Sequence, residues 1–421
     1  MTGAVGVAET VARLSRRELT AEEVVRQCLS RIDEREDEVQ AWEVVDREGA
    51  LREARRIDGL SQRPLLCGLP VGVKDLIDTA DLPTAYGSPL YRGHRPANDA
   101  ACVRALREAG AIVLGKTVTT EFAVYHPGKT RNPHDPSRTP GGSSSGSAAA
   151  VAEGMVPLAL GTQTAGSVIR PASFCGVVGW KPPFGMLSLE GVHPLSPSLD
   201  TLGFFVRAVE DVPLALAALS GAALKPIADR RPVLALCRTS LWELAEPSTR
   251  AAVESAAEEL ARRGAEVREL LLPPSFDRLA EAQAVIMGAE ATASLDKEWS
   301  QHRGDLSAKL REMLQAGAAR AQAEIHGAQR LAQQCRSEFA ALTQPFDALL
   351  TPAAVGEAPI GLESTGDPIF SRIWTLLGTA CATLPVLRGP SGMPLGLQLV
   401  AKPGGDDALL AAAKFVETAF A

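Results

Sequence analysis

Two short segments rich in glycine, serine and threonine are the first parts of this chain that could carry out chemistry. One covers residues 139–147 and runs into a row of alanines, and the other covers residues 161–171. A glycine-rich loop before a helix can hold an anion or a reacting group, because its unpaired N–H groups point outward. A nucleotide-binding P-loop needs Lys and then Ser or Thr after its last glycine. Here Ser147 and alanines follow Gly146, which argues against nucleotide binding.

Ser144 lies in the first segment in the pattern Gly-x-Ser-x-Gly, which is typical of the nucleophile of α/β-hydrolases. That serine needs a strand before it, and residues 137–140 do not read as a strand. Ser294 and Lys297 have the spacing of the Ser-x-x-Lys pair of penicillin-binding enzymes, but no Ser-Asp-Asn or Lys-Thr-Gly motif accompanies them. A flexible linker is the alternative for the loop itself, although apolar segments follow it closely. Neither serine pattern therefore identifies a nucleophile.

Lys74 is the residue whose surroundings best predict a general base. It is the first of nine lysines in the chain and stands among Val71, Val73, Leu76 and Ile77. Burial among such side chains lowers the pKa of a lysine toward neutrality, where its amine can accept a proton. The alternative is an ion pair between Lys74 and the carboxylate of the neighbouring Asp75, since a partly buried lysine is frequently paired with an acid. The sequence by itself leaves both possibilities open.

The composition excludes several classes of function. With 43 basic and 50 acidic residues the net charge is −7, whereas nucleic-acid binding needs a basic surface. No apolar run approaches the roughly 20 residues that span a bilayer, and no signal peptide is visible, so a cytoplasmic location without membrane contact is expected. The seven cysteines are scattered and never form Cys-x-x-Cys, which predicts reduced, buried thiols and neither disulfides nor a metal site.

The patterns that must position these residues predict an α/β chain. Apolar residues recur at helical spacing over about residues 1–62, where Thr20 and Glu23 have capping-box spacing. Residues 69–77 predict a buried strand or turn, residues 99–109 a helix and residues 111–114 the strand after it. Residues 155–160 predict a further strand, and residues 245–340, rich in Ala, Glu, Gln and Arg, predict a helical lobe. We find no linker that divides the chain, so one domain over residues 1–421 is predicted.

Six blocks of sequence stand out along the chain: GLPVGVKD (68–75), TRNP (130–133), TPGGSSSGSAAA (139–150), GTQTAGSVIRPASFCGVVG (161–179), FDALLTP (346–352) and GMPLGLQLV (392–400). Together and in this order they resemble the amidase signature family, and the resemblance covers about residues 8–420. It implies a mixed central β-sheet surrounded by α-helices that hydrolyses amide bonds with no metal or cofactor.

The resemblance also implies roles for individual residues. Lys74 corresponds to the general base, Ser143 to a bridging serine that follows a cis peptide, and Ser167 to the nucleophile. The N–H groups of the turn Thr164, Ala165, Gly166 and Ser167 correspond to the oxyanion hole. Residues 163–167 depart at two positions from the usual Asp-Thr-Gly-Gly-Ser pattern, since Gln163 and Ala165 replace Asp and Gly.

Four further residues are predicted to bind the substrate: Arg170, Gly142, Tyr125 and Gln283. Arg170 follows the predicted nucleophile by three residues, as in malonamidase-like members of the family, where an arginine receives a substrate carboxylate. The alternative for Arg170 is a pairing with a structural acid or a backbone carbonyl. Tyr125 and Gln283 are predicted from their neighbourhoods alone, and packing in the core is their alternative.

The predicted function is therefore hydrolysis of a small linear amide, such as one bearing a carboxylate or ureide group, by a Ser–cis-Ser–Lys triad with release of ammonia or amine. A homodimer is expected. One alternative is an amidotransferase A-type subunit, although the short chain and the Ser-Val-Ile-Arg turn argue against it. The other is a scaffold of the same fold that has lost activity, motivated by Ala165.

Overall fold

A computed structural model describes residues 6–421 of the chain, and its strands form one mixed sheet. Residues 1–5, the start of the predicted N-terminal helical region, lie outside the described residues. In chain order the strands are β1 (Trp42–Val45), β2 (Pro70–Lys74), β3 (Ile112–Thr117), β4 (Leu158–Gln163), β5 (Val178–Lys181), β6 (Thr201–Val206), β7 (Val233–Cys237), β8 (Glu266–Leu270), β9 (Ala348–Pro352), β10 (Cys381–Arg388) and β11 (Pro394–Val400).

The order of the strands across the sheet is β1-β3-β2-β4-β6-β5-β10-β11-β9-β7-β8. β2 is parallel to both β3 and β4, and β7 is parallel to both β8 and β9, while the other pairs are antiparallel. The central strands are buried along their whole length, which explains why they read as apolar runs without alternation. The mixed α/β architecture predicted from the sequence is confirmed.

Helices surround the sheet. They are α1 (Val7–Ser15), α2 (Ala21–Val39), α3 (Arg47–Asp58), α4 (Ala101–Glu108), α5 (Ser145–Ala152), α6 (Ile169–Cys175), α7 (Val212–Ser220), α8 (Pro247–Arg262), α9 (Leu279–Ser294), α10 (Asp296–Gln301), α11 (Ala308–Ala318), α12 (Gln322–Thr343), α13 (Ile369–Leu377) and α14 (Asp406–Ala419). The predicted capping box is confirmed at the start of α2, where Thr20 and Glu23 each accept a hydrogen bond from the other's backbone N–H. All seven cysteines are free and buried, as predicted.

The structure differs from the predicted elements in two regions. The N-terminal region is not purely helical, because Trp42 and the β-branched Val44 and Val45 form β1 at one edge of the sheet. The region 245–340 likewise contains β8 at the opposite edge, a strand whose side chains are mostly exposed and charged. Charged side chains on an edge strand discourage pairing with another chain. Because they replace the alternation of apolar and polar residues that marks a strand, the sequence pattern did not predict β8.

The second glycine-rich segment lies beside Lys74 because β2 and β4 are parallel neighbours. Lys74 is the last residue of β2, and Gln163 is the last residue of β4. The carboxyl ends of parallel strands meet at one edge of a sheet, so the turn after β4 lies beside Lys74. The first segment leads into α5, which is entirely buried apart from its last residue. A Cβ on Gly146 would lie 2.2 Å from the carbonyl oxygen of Ala41, so only glycine fits there.

Candidate active site

Lys74 and Ser143 are in direct contact. The Nζ of Lys74, which is fully buried, lies 2.7 Å from the Ser143 Oγ and 2.8 Å from the Thr162 Oγ1. The ion pair considered for Lys74 does not form, because Asp75 pairs with Lys116 at 3.2 Å. Asp75 lies just beyond the end of β2, and its carboxylate is engaged by Lys116 and by the N–H of Ala85.

Burial lowers the pKa of Lys74 to about 7, while the charge of Asp200 acts in the raising direction. Both hydrogen-bond partners of the amine are neutral hydroxyl groups. Because no carboxylate bonds to the ammonium form, loss of water contact dominates and the neutral amine becomes accessible near neutral pH. Lys74 can therefore exchange a proton with the Ser143 hydroxyl.

The loop that carries Ser143 is shaped by its glycines. The Gly142–Ser143 peptide bond is cis, and Gly141 has a φ of 83°, which favours glycine. A Cβ on Gly142 would lie 2.7 Å from the Cγ2 of Thr365, so a larger residue would collide with the opposite wall. The backbone carbonyl of Gly142, one of the predicted substrate-binding residues, accepts a hydrogen bond from Arg170.

The turn from Thr164 to Ser167 is fixed by hydrogen bonds to residues that lie outside the pocket. The Thr164 hydroxyl lies 2.5 Å from the carboxylate of Asp200, and the Thr375 hydroxyl donates to the carbonyl of Ala165 at 2.8 Å. Within the described residues, the N–H groups of Ala165, Gly166 and Ser167 donate to no acceptor of the protein. Free N–H groups on a turn whose other polar groups are fixed are suited to binding an oxyanion.

Gln163 and Ala165, the two departures from the expected turn, both fit this arrangement. The Oε1 of Gln163 accepts the N–H groups of Val168 and Ile169, at 2.8 and 3.0 Å, and its Nε2 donates to Thr375. A neutral amide thus ties the turn to the start of α6. Ala165 does not adopt a positive φ, so its Cβ brings no backbone strain.

Arg170 projects from α6 into the same region and is 4% exposed. Its Nε donates to the carbonyl of Thr365 at 2.6 Å, and its Nη2 donates to the carbonyl of Gly142 at 2.7 Å. Among residues 6–421, the Nη1 is buried without a hydrogen-bond partner. Burial lowers the pKa of Arg170 to about 10, which still leaves the guanidinium charged at neutral pH. The backbone contacts considered as its alternative role do form, but they use only part of the guanidinium.

Tyr125 and Gln283, the remaining predicted substrate contacts, are joined by Arg372. One nitrogen of Arg372 donates to the Tyr125 hydroxyl at 3.0 Å, and the other donates to the Gln283 Oε1 at 2.6 Å. Tyr125 lines the pocket, but Gln283 does not, since it is fully buried and its Nε2 donates to the carbonyl of Thr164. The structure thus places Gln283 behind the turn rather than against a substrate, because both ends of its amide are already bonded.

A single pocket brings these groups together. It encloses about 390 Å³ of empty space, part of it open to solvent. Met287 from α9 and Met313 from α11 form an apolar wall, so the helical lobe closes the side away from the sheet. The other residues that line it are Thr120, Ala123, Val124, Tyr125, Ser143, Thr164, Ala165, Gly166, Ser167, Arg170, Leu195, Thr365 and Pro368.

The serines of the rejected patterns lie elsewhere. Ser144 is fully buried, and its hydroxyl is within 3.3 Å of the backbone N and O of Thr162, so it fastens the loop to β4. Ser294 ends α9 and Lys297 lies in α10, and neither lines the pocket. Among the residues that the structure describes, no group of three His, Cys, Asp or Glu side chains is placed to bind a metal ion.

Reasoning from the sequence missed Thr162, Asp200, Thr375 and Arg372, all of which hold the site in place. Thr162 stands in the second glycine-rich segment, one residue before Gln163. Asp200, Thr375 and Arg372 lie far along the chain from the residues they contact, and no local pattern marks them.

None of the helices in residues 6–421 has the length and apolarity that crossing a membrane requires.

Comparison with known families matches residues 23–410 to the family described as Amidase. The A-type subunit of the glutamyl-tRNA(Gln) amidotransferase of Koribacter versatilis (strain Ellin345) is 32% identical, over 97% of this chain and 97% of that protein. The 2-amino-5-chloromuconic acid deaminase of Comamonas testosteroni is 34% identical, over 98% of this chain and 95% of that protein. These relatives have different activities, so they identify a family and not a substrate.

The fold gives the same result. A crystal structure of an amidase superposes with a TM-score of 0.90 at 32% identity, covering 99% of this chain and 100% of the other. The family match covers nearly the whole chain, including the strand end at Lys74 and both glycine-rich segments. The chain therefore belongs to the amidase signature family and is an amidase, an amidohydrolase of linear C–N amide bonds.

Proposed function

We propose that this amidase hydrolyses a small linear amide that carries a carboxylate group, through an acyl-enzyme formed on Ser167. The observation that carries the proposal is the 2.7 Å contact between a buried lysine, Lys74, and a serine that shares a pocket with Ser167. A serine is a weak nucleophile until a base removes its proton, and a neutral lysine reached through a second hydroxyl can do so.

In the proposed mechanism, neutral Lys74 takes the proton of the Ser143 hydroxyl while Ser143 takes the proton of Ser167. The Ser167 oxygen bonds to the amide carbon, and the free N–H groups of the turn donate to the resulting oxyanion. When the intermediate collapses, the C–N bond breaks and the nitrogen receives a proton from Ser143, which recovers one from Lys74. Water then cleaves the acyl-enzyme through the same proton path and releases the acid.

Arg170 supports the carboxylate as part of the substrate. Its Nη1 is the unpartnered end of a charged guanidinium whose other nitrogens are already bonded, and the side chain lines the pocket. A buried donor without a partner costs free energy unless a ligand satisfies it, and a carboxylate suits a guanidinium best. The proposed substrate class is therefore a short acid with one amide group. The alternative substrate class is an uncharged ureide.

Replacing Arg170 tests this substrate class. We expect Arg170→Met to lower kcat/KM by about 10- to 100-fold for carboxylated amides such as malonamate, because a hydrogen bond to a charged group is lost. The loss for neutral aliphatic amides, aryl amides and biuret-type ureides should be much smaller. Ammonia or amine release across this panel measures the difference.

Arg336→Met is the matched control, since Arg336 is a partly buried arginine that donates two hydrogen bonds to the carbonyl of Leu376 and does not line the pocket. It should leave the ratio between carboxylated and neutral substrates unchanged. An equal loss on all substrates in Arg170→Met would mean that the arginine only supports Gly142 and Thr365, and the carboxylate would have to be abandoned.

Removing the charge of Asp200 is expected to change the pH dependence of the reaction. Asp200 is buried, accepts from Thr164, and raises the pKa of Lys74 through its charge. In Asp200→Asn the amide oxygen can accept from the N–H groups of Leu195 and Ser196 while the amide nitrogen donates to the Thr164 hydroxyl, but the pKa of Lys74 should fall. The acidic limb of kcat/KM should then move to lower pH, as measured in a pH–rate profile. A limb that stays in place would show that Asp200 carries no charge in the working enzyme.

The second candidate is the role of the amidotransferase relatives, motivated by the 32% identity to one of them across almost the entire chain. In that role the chain would release ammonia from glutamine for a partner enzyme. Purified alone, it should then hydrolyse glutamine and leave the small amides of the panel untouched, and its glutaminase activity should rise when the partner proteins are added. Turnover of malonamate or another small amide by the isolated chain would exclude this alternative.

A further inference from the structure

Thr120 carries a buried polar atom that the mechanism so far leaves without a role. The residue is 1% exposed and lines the pocket together with Ser143 and Ser167, yet its Oγ1 has no hydrogen-bond partner within the part of the chain that the structure describes. Buried hydroxyl groups are nearly always hydrogen-bonded, since an unpaired one costs free energy. A buried hydroxyl without a protein partner, on a residue that lines the pocket, is suited to bonding a substrate.

The backbone fixes Thr120 on the Ser143 side of the pocket. Its N–H donates to the carbonyl of Ser143 at 3.3 Å, and its own carbonyl accepts from Ala123 at 3.1 Å. Phe122 and Ala123 both have positive φ, at 46° and 61°, so the chain reverses sharply just after Thr120. This reversal keeps residue 120 against the loop that carries the proposed proton relay.

The free nitrogen of Arg170 lies beside the proposed nucleophile. Its Nη1 is 3.1 Å from the position that a Cβ on Gly166 would take, beside the proposed nucleophile. A substrate whose carboxylate binds Arg170 would place its acyl part near Gly166 and its amide nitrogen near Ser143, which must hand that nitrogen a proton. The group that Thr120 faces is then the leaving nitrogen.

We propose that the Thr120 hydroxyl accepts a hydrogen bond from an N–H of the leaving amide, and so makes the pocket selective for amides over esters of the same acid. The inference rests on the proposed function, because it takes Ser143 as the residue that protonates the leaving group. A hydroxyl oxygen can accept this bond, and an ester, whose leaving oxygen bears no hydrogen, cannot supply it. No bond to Thr120 is formed or broken covalently.

The test compares the best amide of the substrate panel with the methyl ester of the same acid. In Thr120→Val, which keeps the shape of the side chain, kcat/KM for the amide should fall by about 10-fold while kcat/KM for the ester stays within about twofold. Thr120→Ser, which restores a hydroxyl, should recover most of the amide rate. Equal losses on both substrates, or no loss on the amide, would overturn the proposal.

Thr119 provides a matched control next to it in the chain. It is 2% exposed and its hydroxyl is also unpartnered, but it does not line the pocket. Thr119→Val should therefore leave both substrates unaffected, and an amide-specific loss equal to that of Thr120→Val would also overturn the proposal. Acylation of Ser167 by a fluorophosphonate distinguishes the role of Thr120 from that of the proposed nucleophile. Normal labelling with unchanged selectivity in Thr120→Val would reject the role of Thr120 alone, whereas no labelling of the unmodified enzyme would reject the proposed nucleophile.

Discussion

Replacing Ser167 by alanine is expected to lower kcat for amide hydrolysis by about 10⁴-fold or more, the scale of loss seen when a serine hydrolase loses its nucleophile. The side chain lines the pocket beside three unpaired backbone N–H groups, and no other pocket serine except Ser143 could form the acyl-enzyme. Since Ser143 is the residue that contacts Lys74, replacing Ser143 by alanine should also lower kcat severely. The two can be separated, because only Ser167 should be covalently labelled by a fluorophosphonate.

The control for this prediction is Ser144→Ala, which also tests the nucleophile of the α/β-hydrolase pattern. Ser144 lies next to the relay serine but outside the pocket, and its hydroxyl only meets the backbone of Thr162 at 3.3 Å. We expect Ser144→Ala to keep most of the activity and to lose at most modest stability. If Ser144→Ala were inactive and Ser167→Ala active, with both variants folded by circular dichroism, the assignment of the nucleophile would be wrong.

The parts of the site that were predictable are those that local sequence encodes. The setting of Lys74 among apolar residues predicts a depressed pKa, and the structure shows that burial is its cause. The turn around Ser167 is continuous in sequence, so the resemblance to a family marked it as a unit. Its support is different, since Asp200 and Thr375 come from remote segments. Only tertiary packing brings such residues together, and no periodicity in the chain records it.

The helices and strands were likewise predictable only where a short stretch of sequence encodes them. Helices with caps and strands buried on both faces have patterns that a short window contains, and α2 and β2 match them. Edge strands are stabilised mainly by the neighbour they pair with, so β1 and β8 carry weak patterns of their own. Gln283 illustrates the same limit at the level of a side chain. Its position on a buried helix face could be guessed, but its direction toward Thr164 depends on how α9 packs.

The pH dependence of the reaction is expected to report the amine of Lys74. Because burial lowers its pKa to about 7, the neutral base predominates above pH 7 and the protonated, inactive form below it. We therefore expect kcat/KM to rise with pH through about 7 and then to level off, as it follows the ionisation of the free enzyme. An ordinary exposed lysine would place this limb near pH 10.4.

Lys74→Met should lower kcat by about 10²- to 10⁴-fold, the usual contribution of a general base, and should remove the limb near pH 7. Lys74→Arg should be as inactive, because a guanidinium stays protonated at every pH the enzyme tolerates. The control is Lys181→Met, in which another fully buried lysine, bonded to the carbonyls of Pro182 and Thr379, is replaced. Lys181 does not line the pocket, so its variant can lose stability but should keep both the rate and the limb. A limb near pH 7 that survives in Lys74→Met would assign the base to another group, and the 2.7 Å contact with Ser143 would then be structural.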